Sequence, residues 1–278
     1  MDKNFLKTIL NRLSKMGCHE ADVFFSKSKT SSCSSRLGKI EKKEESSTNE
    51  IGIRAIINKK QSIVSTTNLE KQNVYNLTEK VVEMAKVVPE NQYCGLAESD
   101  KIKQVSKQEV QKLEICDTYE PTMSLIEKEV IKLEESALDN KEITNSEGAE
   151  IAYSKNSICL LGSNGLEIEM EKTHSDFIIA VLAGSKDSME REYDYKSKVF
   201  YNELGDFEKI GKEVSQNAIK KLNSRKLKTC KSDVIFDSKV SSSLLRNLFS
   251  ASNAQSIVKG ISFLKDKMNN KVFNDRIS

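Results

Sequence analysis

The sequence predicts an α+β protein, a mainly antiparallel sheet packed with helices, followed by the start of a second, largely β domain. Three observations carry this. Ile51, Ile53, Ala55 and Ile57 recur at every second position, the period of a strand with one buried face. From Glu142 to Tyr201 the period of two returns through five segments, 149–153, 157–161, 166–171, 176–183 and 190–199, with Ser163-Asn164-Gly165 as a hairpin turn. Helical spacing brackets both regions, in Met123, Ile126, Val130, Leu133 and Ala137 and in Phe207, Ile210, Val214, Ala218 and Leu222.

The elements follow in order. Phe5, Leu6, Ile9, Leu10 and Leu13 make an amphipathic helix that Gly17 ends. A short strand spans 21–26. Segments 35–46, 51–57 and 61–67 then form a three-strand meander, the last two joined by Asn58-Lys59-Lys60. The stretch from Cys33 to Val88 is the unit around which the rest is arranged. Asn68 is placed to cap a helix carrying Leu77, Val81, Val82, Ala85 and Val88 on one face and ending at Pro89. A polar loop over 90–119 holds one short helix near 107–113. The helix after Pro121 opens on Ser124 and Glu127 as a capping box. The nearly all-apolar run Phe177 to Leu182 places its strand centrally in the sheet, and a helix covers 203–222. A short strand, Val234 to Asp237, opens the second unit, with a helix over 241–254. The expected division is 1–225 and 226–278, the second part being too small to close a core alone.

Composition limits the partners. In 278 residues with 37% hydrophobic content, Lys+Arg 44 against Asp+Glu 41 leaves a net charge of +3. No global field recruits DNA or an anionic membrane, so nucleic acid is not an expected partner. The six cysteines are widely spaced, Cys18 and Cys33 being the nearest pair, which fits reduced thiols in a cytoplasmic protein. Lys3, Lys7, Asn11 and Arg12 interrupt the N-terminal apolar face, unlike a signal peptide, and no run reaches the roughly 18 apolar residues of a membrane span.

Residues that could carry chemistry are few. His19-Glu20 opens like a zinc-protease motif, but the second imidazole, one turn on, would fall at Val23 or Phe24. His19 therefore reads as structural or solvent-facing, and His174 has no metal-ligand set near it in sequence. Phosphate-cradle patterns are absent, and 161–165 lacks the spacing of a nucleophile elbow. Lys220 to Lys231 holds six Lys or Arg and no acid, but no aromatic interleaves with them, so a helix end and solvated linker explain the run. No catalytic, cofactor-binding or metal residue is assigned.

In succession, Gly38-Lys39-Ile40-Glu41, Glu50-Ile51-Gly52-Ile53-Arg54-Ala55, Ser65-Thr66-Thr67-Asn68-Leu69 and Val88-Pro89-Glu90 resemble the N-terminal domain of the TldD/PmbA family. Asn145-Ser146-Glu147-Gly148-Ala149, Val234-Ile235-Phe236-Asp237 and Gly260 to Lys267 are similar to its PmbA (TldE) branch. The resemblance implies a cytosolic metallopeptidase in which a TldD-like and a PmbA-like chain pair to act on peptides or unfolded proteins, among them antitoxins and peptide precursors. In that system the TldD-like partner carries the zinc on an H-E-x-x-x-H helix. The matching region here, Arg246 to Val258, contains neither His nor Glu. The implied cofactor of this chain is therefore none, with zinc expected in the TldD-like partner. The edge of the 51–57 strand is offered as a place where an extended peptide or partner strand pairs. Family members continue into a largely β domain, so the chain is expected to be truncated. The alternatives are a regulatory binding protein of the DNA gyrase modulator type, without peptidase activity, and an inactive fragment.

Overall fold

A computed structural model describes residues 2–185, 188–274 and 276. It divides into two units, Met1–Ser224 and Arg225–Ser278. In the first, α1 (Lys3–Lys15) leads into β1 (Glu20–Arg36), β2 (Lys39–Ile57) and β3 (Lys60–Thr66). Helices α2 (Lys71–Val87), α3 (Lys107–Gln111) and α4 (Met123–Leu138) follow, then β4 (Ile143–Gly162), β5 (Glu167–Ala183), β6 (Glu190–Lys198) and α5 (Phe207–Lys220). All six strands form one antiparallel sheet in the order β3-β2-β1-β4-β5-β6, which gives the expected α+β class.

Side-chain parity places the helices. Ala21, Val23 and Phe25 of β1 share a face with Ser31, Cys33 and Ser35 farther along the same strand, and all six are buried. At one end this face packs on α1 and α2 through Leu6, Ile9, Leu13, Val74, Val81 and Ala85. At the other end it packs on α4 and α5 through Ile126, Val130, Leu133, Phe207, Val214 and Ala218. One face of the sheet thus carries two helix pairs and two cores. Each large apolar side chain buried there contributes about 1.5–3 kcal/mol.

The strands are longer than their apolar signatures. The expected strand over 21–26 is the start of a 17-residue strand, and the first two pieces of the meander, expected at 35–46 and 51–57, merge from Lys39 onward into one strand, β2. Segments 149–153 and 157–161 likewise merge into β4, and 166–171 and 176–183 into β5. Polar middles such as Ser26 to Thr30 are held by neighbours on both sides, not by burial. β5 lies one strand in from the β6 edge instead of at the centre, because its apolar run combines buried Phe177, Ile179 and Val181 with an exposed Ile178 on the other face.

Turns and caps fix the register. Leu37 and Gly38, with φ of 51° and 74°, form a two-residue turn of the twisted hairpin type, and Asn58 and Lys59 repeat it with φ of 50° and 61°. A leucine in the left-handed region is strained, and a carboxylate secures it: fully buried Glu134 accepts the Leu37 and Gly38 N–H groups at 2.9 and 3.2 Å and the Ser146 hydroxyl at 2.6 Å. Helix α4 is capped by Thr122, whose hydroxyl accepts the Leu125 N–H, and not by Ser124. Asn68 accepts the Glu70 N–H in a turn before α2, which starts at Lys71 without a side-chain cap. Gly211 lets α5 approach α4 closely, since a Cβ there would collide with the Leu133 carbonyl and the Ser136 hydroxyl.

In the second unit, α6 (Ser238–Ala251) and α7 (Ala254–Val258) are capped by Asp237 and Asn253. The strand expected at Val234 to Asp237 does not form. No partner strand is present in this unit among the described residues, and Asp237 serves as the α6 cap. Val240, Leu244, Leu245 and Phe249 of α6 are exposed.

Replacing Glu134 by Ala leaves the fully buried Ser146 hydroxyl and the partly buried Leu37 and Gly38 N–H groups without this acceptor. It should cost about 3 kcal/mol in urea unfolding; a loss below about 1 kcal/mol would show that the turn does not depend on this carboxylate.

Candidate functional site

The two histidines are far apart in the fold. His19 is exposed in the loop before β1, where its carbonyl accepts the Ser163 hydroxyl at 2.9 Å. Val23 and Phe24, the positions a second zinc ligand would take, lie on a strand and point to opposite faces. His174, on β5, has Nε2 3.1 Å from Ser197 Oγ and 3.5 Å from Asp176 Oδ1. A hydrolytic triad requires Ser and Asp at different ring nitrogens. Here both meet the same nitrogen on an exposed strand face, so the trio lacks the geometry to activate the serine. Burial holds the Asp176 carboxyl above the usual range, with His174 opposing. Among the described residues, no group of three or more His, Cys, Asp or Glu is placed to hold a metal ion.

The basic run divides at the end of α5. Lys221 pairs with Glu192 and donates to the Arg191 carbonyl, whereas Arg225, Lys226, Lys228 and Lys231 are exposed outside any helix or strand. The 51–57 part of β2, expected to offer an open edge, is paired on both sides: Ile53 faces Val23 of β1 and Val64 of β3. A proline at Ile53 would therefore disrupt a strand paired on both sides and buried in the core. The open edges lie elsewhere. β3 stops opposite Ile51, leaving residues 39–50 of β2 without an outer neighbour in the sheet, and β6 covers β5 only from Ser175 to Ala183.

Beside that uncovered part of β5 is a cavity of about 970 Å³ on the helix-bearing face. Strands β1, β4 and β5 supply Phe25, Cys159 and Met170, and the segment around α3 supplies Val110, Ile115 and Cys116. Asp2, Glu169 and Glu171 bring negative charge to its wall, opposed by Lys3, which pairs with Glu167 and Glu169. Those two carboxylates push the Lys3 ammonium pKa up. Glu171 accepts the Ser157 hydroxyl at 2.9 Å and faces Lys155 at 3.5 Å. Nearby, Tyr153 is buried, and its hydroxyl has no hydrogen-bond partner among the described residues; burial pushes its pKa up to about 12, helped by acids that include Glu120, Asp117 and Glu171. Nothing in the sequence announces this cavity: Ser157, Cys159 and Glu171 are spread over two strands and carry no motif.

An α+β module with a one-faced, long-stranded sheet and no metal cluster among its described residues defines the class. Family models place it further. The descriptions that match are PmbA/TldA metallopeptidase domain 1 over residues 21–85, central domain over 100–222 and C-terminal domain over 229–278. The chain belongs to the PmbA/TldD metallopeptidase family, on its PmbA (TldE) side. It is 26% identical to the metalloprotease PmbA homolog of Buchnera aphidicola from Acyrthosiphon pisum, over 98% of this chain and 60% of that protein. With metalloprotease PmbA of Escherichia coli O157:H7 the identity is 25%, over 92% of this chain and 56% of that one. The chain thus spans about half to three-fifths of the length of these curated relatives. Among solved structures, a Bacteroides thetaiotaomicron protein described as a candidate modulator of DNA gyrase superposes with a TM-score of 0.85 at 20% identity, over 99% of this chain and 62% of that one. TldE from Thermococcus kodakarensis gives 0.74 at 17%, over 95% and 58%. These two likenesses concern the fold. No helix among the described residues is long and apolar enough to cross a membrane.

Burial raises the thiol pKa of both Cys116 and Cys159, leaving them protonated at neutral pH. Because the thiolate is the reactive form, iodoacetamide should label both slowly at pH 7 and faster as pH rises into the alkaline range. A fast, pH-independent rate, read by peptide mass mapping, would contradict this.

Proposed function

We propose that this chain is the subunit without zinc of a PmbA/TldD-type metallopeptidase, helping a TldD-like chain to hold peptides or unfolded proteins for cleavage in the cytoplasm. The observation that carries this reading is the ordered match to all three family domains, combined with a segment, 246–258, that has no His or Glu where the resemblance implies a zinc helix in the partner. A catalytic zinc needs three protein ligands and an open position. Residues 246–258 run through the end of α6 and α7, and their side chains are Ser, Asn, Gln, Arg and apolar groups, which do not fit that ion. The chemistry is therefore assigned to the partner, and binding to this chain.

The test is co-expression of the chain with a TldD-like partner, followed by metal analysis and peptide hydrolysis. The pair should hold zinc and cleave, while this chain purified alone should do neither. Stoichiometric zinc and hydrolysis in the lone chain would overturn the assignment.

A second reading, regulation of a DNA-associated target, draws on the exposed cations at 225–231 and on the description of the Bacteroides neighbour. If it holds, exchanging Lys226, Lys228 and Lys231 for Ala should reduce DNA retention and flatten its salt dependence by about one logarithmic unit for each phosphate no longer neutralised. Equal retention by both proteins at every salt concentration would dismiss it.

A further inference from the structure

We propose that the cavity beside β5 and the uncovered β5 edge together form a binding site for an extended peptide segment bearing basic side chains. The inference deepens the peptide-holding role above and rests on it for the class of ligand.

The direction of the main chain supports the first half. Leu166 turns its carbonyl toward β4, accepting the Gly162 N–H at 2.8 Å, whereas Thr173 turns its N–H the other way, to the Ile115 carbonyl at 3.0 Å. Successive residues of a strand alternate in the direction of their main-chain groups. The N–H and C=O groups of Glu167, Glu169 and Glu171 therefore point out of the sheet on the Thr173 side. β6 begins to cover β5 only at Ser175, and no backbone partner meets these three residues on that side among the described residues. The Ile115 carbonyl already takes the first place in that row, so an added chain continues an existing pairing direction.

Side chains supply the second half. Those of Glu167, Glu169 and Glu171 lie on the helix-bearing face, as do the buried Phe177 and Ile179 of the same strand. That is the face of the cavity. Every second residue of an added strand stands beside Glu167, Glu169 and Glu171 on this face, and Glu169 and Glu171 also line the cavity with Asp2, Ile115 and Cys116, Lys3 and Lys155 being the nearby opposing cations. An aliphatic stem ending in a cation suits this wall, because the stem covers apolar surface while the head meets the carboxylates. The cavity volume of about 970 Å³ is at the upper end of the usual range for ligand pockets and accommodates more than one such side chain.

The test uses the whole chain and fluorescein-labelled acetyl-Val-Lys-Val-Lys-Val-amide, in which both cations fall on one face of a strand. Binding is read by anisotropy and, in Cys230→Ser protein, by protection of Cys116 and Cys159 from iodoacetamide at pH 8.5. The Lys peptide should bind at least about tenfold more tightly than its Val-Glu-Val-Glu-Val counterpart, and Glu171→Lys should erase that preference. N-methylation at alternate residues should abolish binding, and n-butylammonium should displace the peptide only at far higher concentration. Equal binding of the Lys and Glu peptides, binding that survives N-methylation, or displacement by n-butylammonium at the concentration of the peptide would each overturn the proposal. Thiol protection needs neither zinc nor partner, which separates the two readings. Loss of peptide binding with hydrolysis intact in the complex removes this site alone, and the converse removes the functional assignment alone.

Discussion

Period-two phase, held without a slip along the 17 residues of β1 and of β5, is the constraint on which the molecule depends. Both helix pairs pack on the same face, so a one-residue shift anywhere in β1 would send Ala21, Val23 and Phe25, or Ser31, Cys33 and Ser35, to the wrong side. The local irregularities lie at strand ends: β1 against β2 shifts between Ser34 and Ser35, and β4 against β5 shifts near Ile143 and near Gly148. Glu134 lies at that same end, joining the β1–β2 turn, through Leu37 and Gly38, to Ser146 beside the β4 bulge. One carboxylate thus fixes the tip of one hairpin against the irregular start of another strand. Breaking these hydrogen bonds leaves the buried Glu134 carboxylate and Ser146 hydroxyl unsatisfied, so the pin is stronger than an exposed ion pair of the Lys43–Glu127 kind.

Two helix pairs cannot cover a face of this length, and the gap between them has consequences. Between the cores, β1 presents Lys27 and Lys29, β4 presents Lys155 and Ser157, and β5 presents Glu169 and Glu171 on the helix-bearing side. These residues keep the alternation without supplying apolar burial. The segment from α3 to Thr118 crosses part of the gap, and its Ile115 carbonyl and Asp117 N–H meet Thr173. What it leaves uncovered is the cavity. The site thus arises from an imbalance between strand length and helix coverage, not from any local motif.

That origin explains what the sequence reveals and what it hides. Residues whose burial creates a period are legible: Leu6, Ile9 and Leu13 on α1, Ile51 to Ala55 on β2, and Ile126 to Ala137 on α4 all lie in the cores. The serine-rich middles of β1 and β4 carry no such signal, because their strands persist through backbone pairing on two sides, and a long strand therefore reads as two short ones. Caps are displaced by one or two residues from their expected positions where several hydroxyl and amide side chains compete, as with Thr122 and Ser124. The Ile51 to Ile57 edge fails as a binding site for a simple reason: its alternation marks a well-buried strand, and such strands have neighbours on both sides. The open edges occur where alternation carries charge, in residues 39–50 and 167–171, a pattern that also protects exposed edges from indiscriminate pairing.

A charged open edge sets the strength of what it can bind. Three outward residues offer at most a handful of main-chain hydrogen bonds, each worth about 0.5–1.5 kcal/mol net, and ordering a flexible peptide removes much of that sum. Main-chain pairing alone therefore gives weak, sequence-tolerant capture. The carboxylates around the cavity add selectivity more than affinity, since Glu169 and Glu171 remain solvent-accessible and their attraction is screened by salt. Weak and tolerant binding fits the proposed role, in which varied chains are presented to chemistry on a partner and release matters as much as capture. A deeply buried, tightly binding pocket would retain the first peptide it met. The exposed edge and cavity of this sheet favour exchange, and in the proposed two-chain assembly effective concentration would compensate for modest intrinsic affinity.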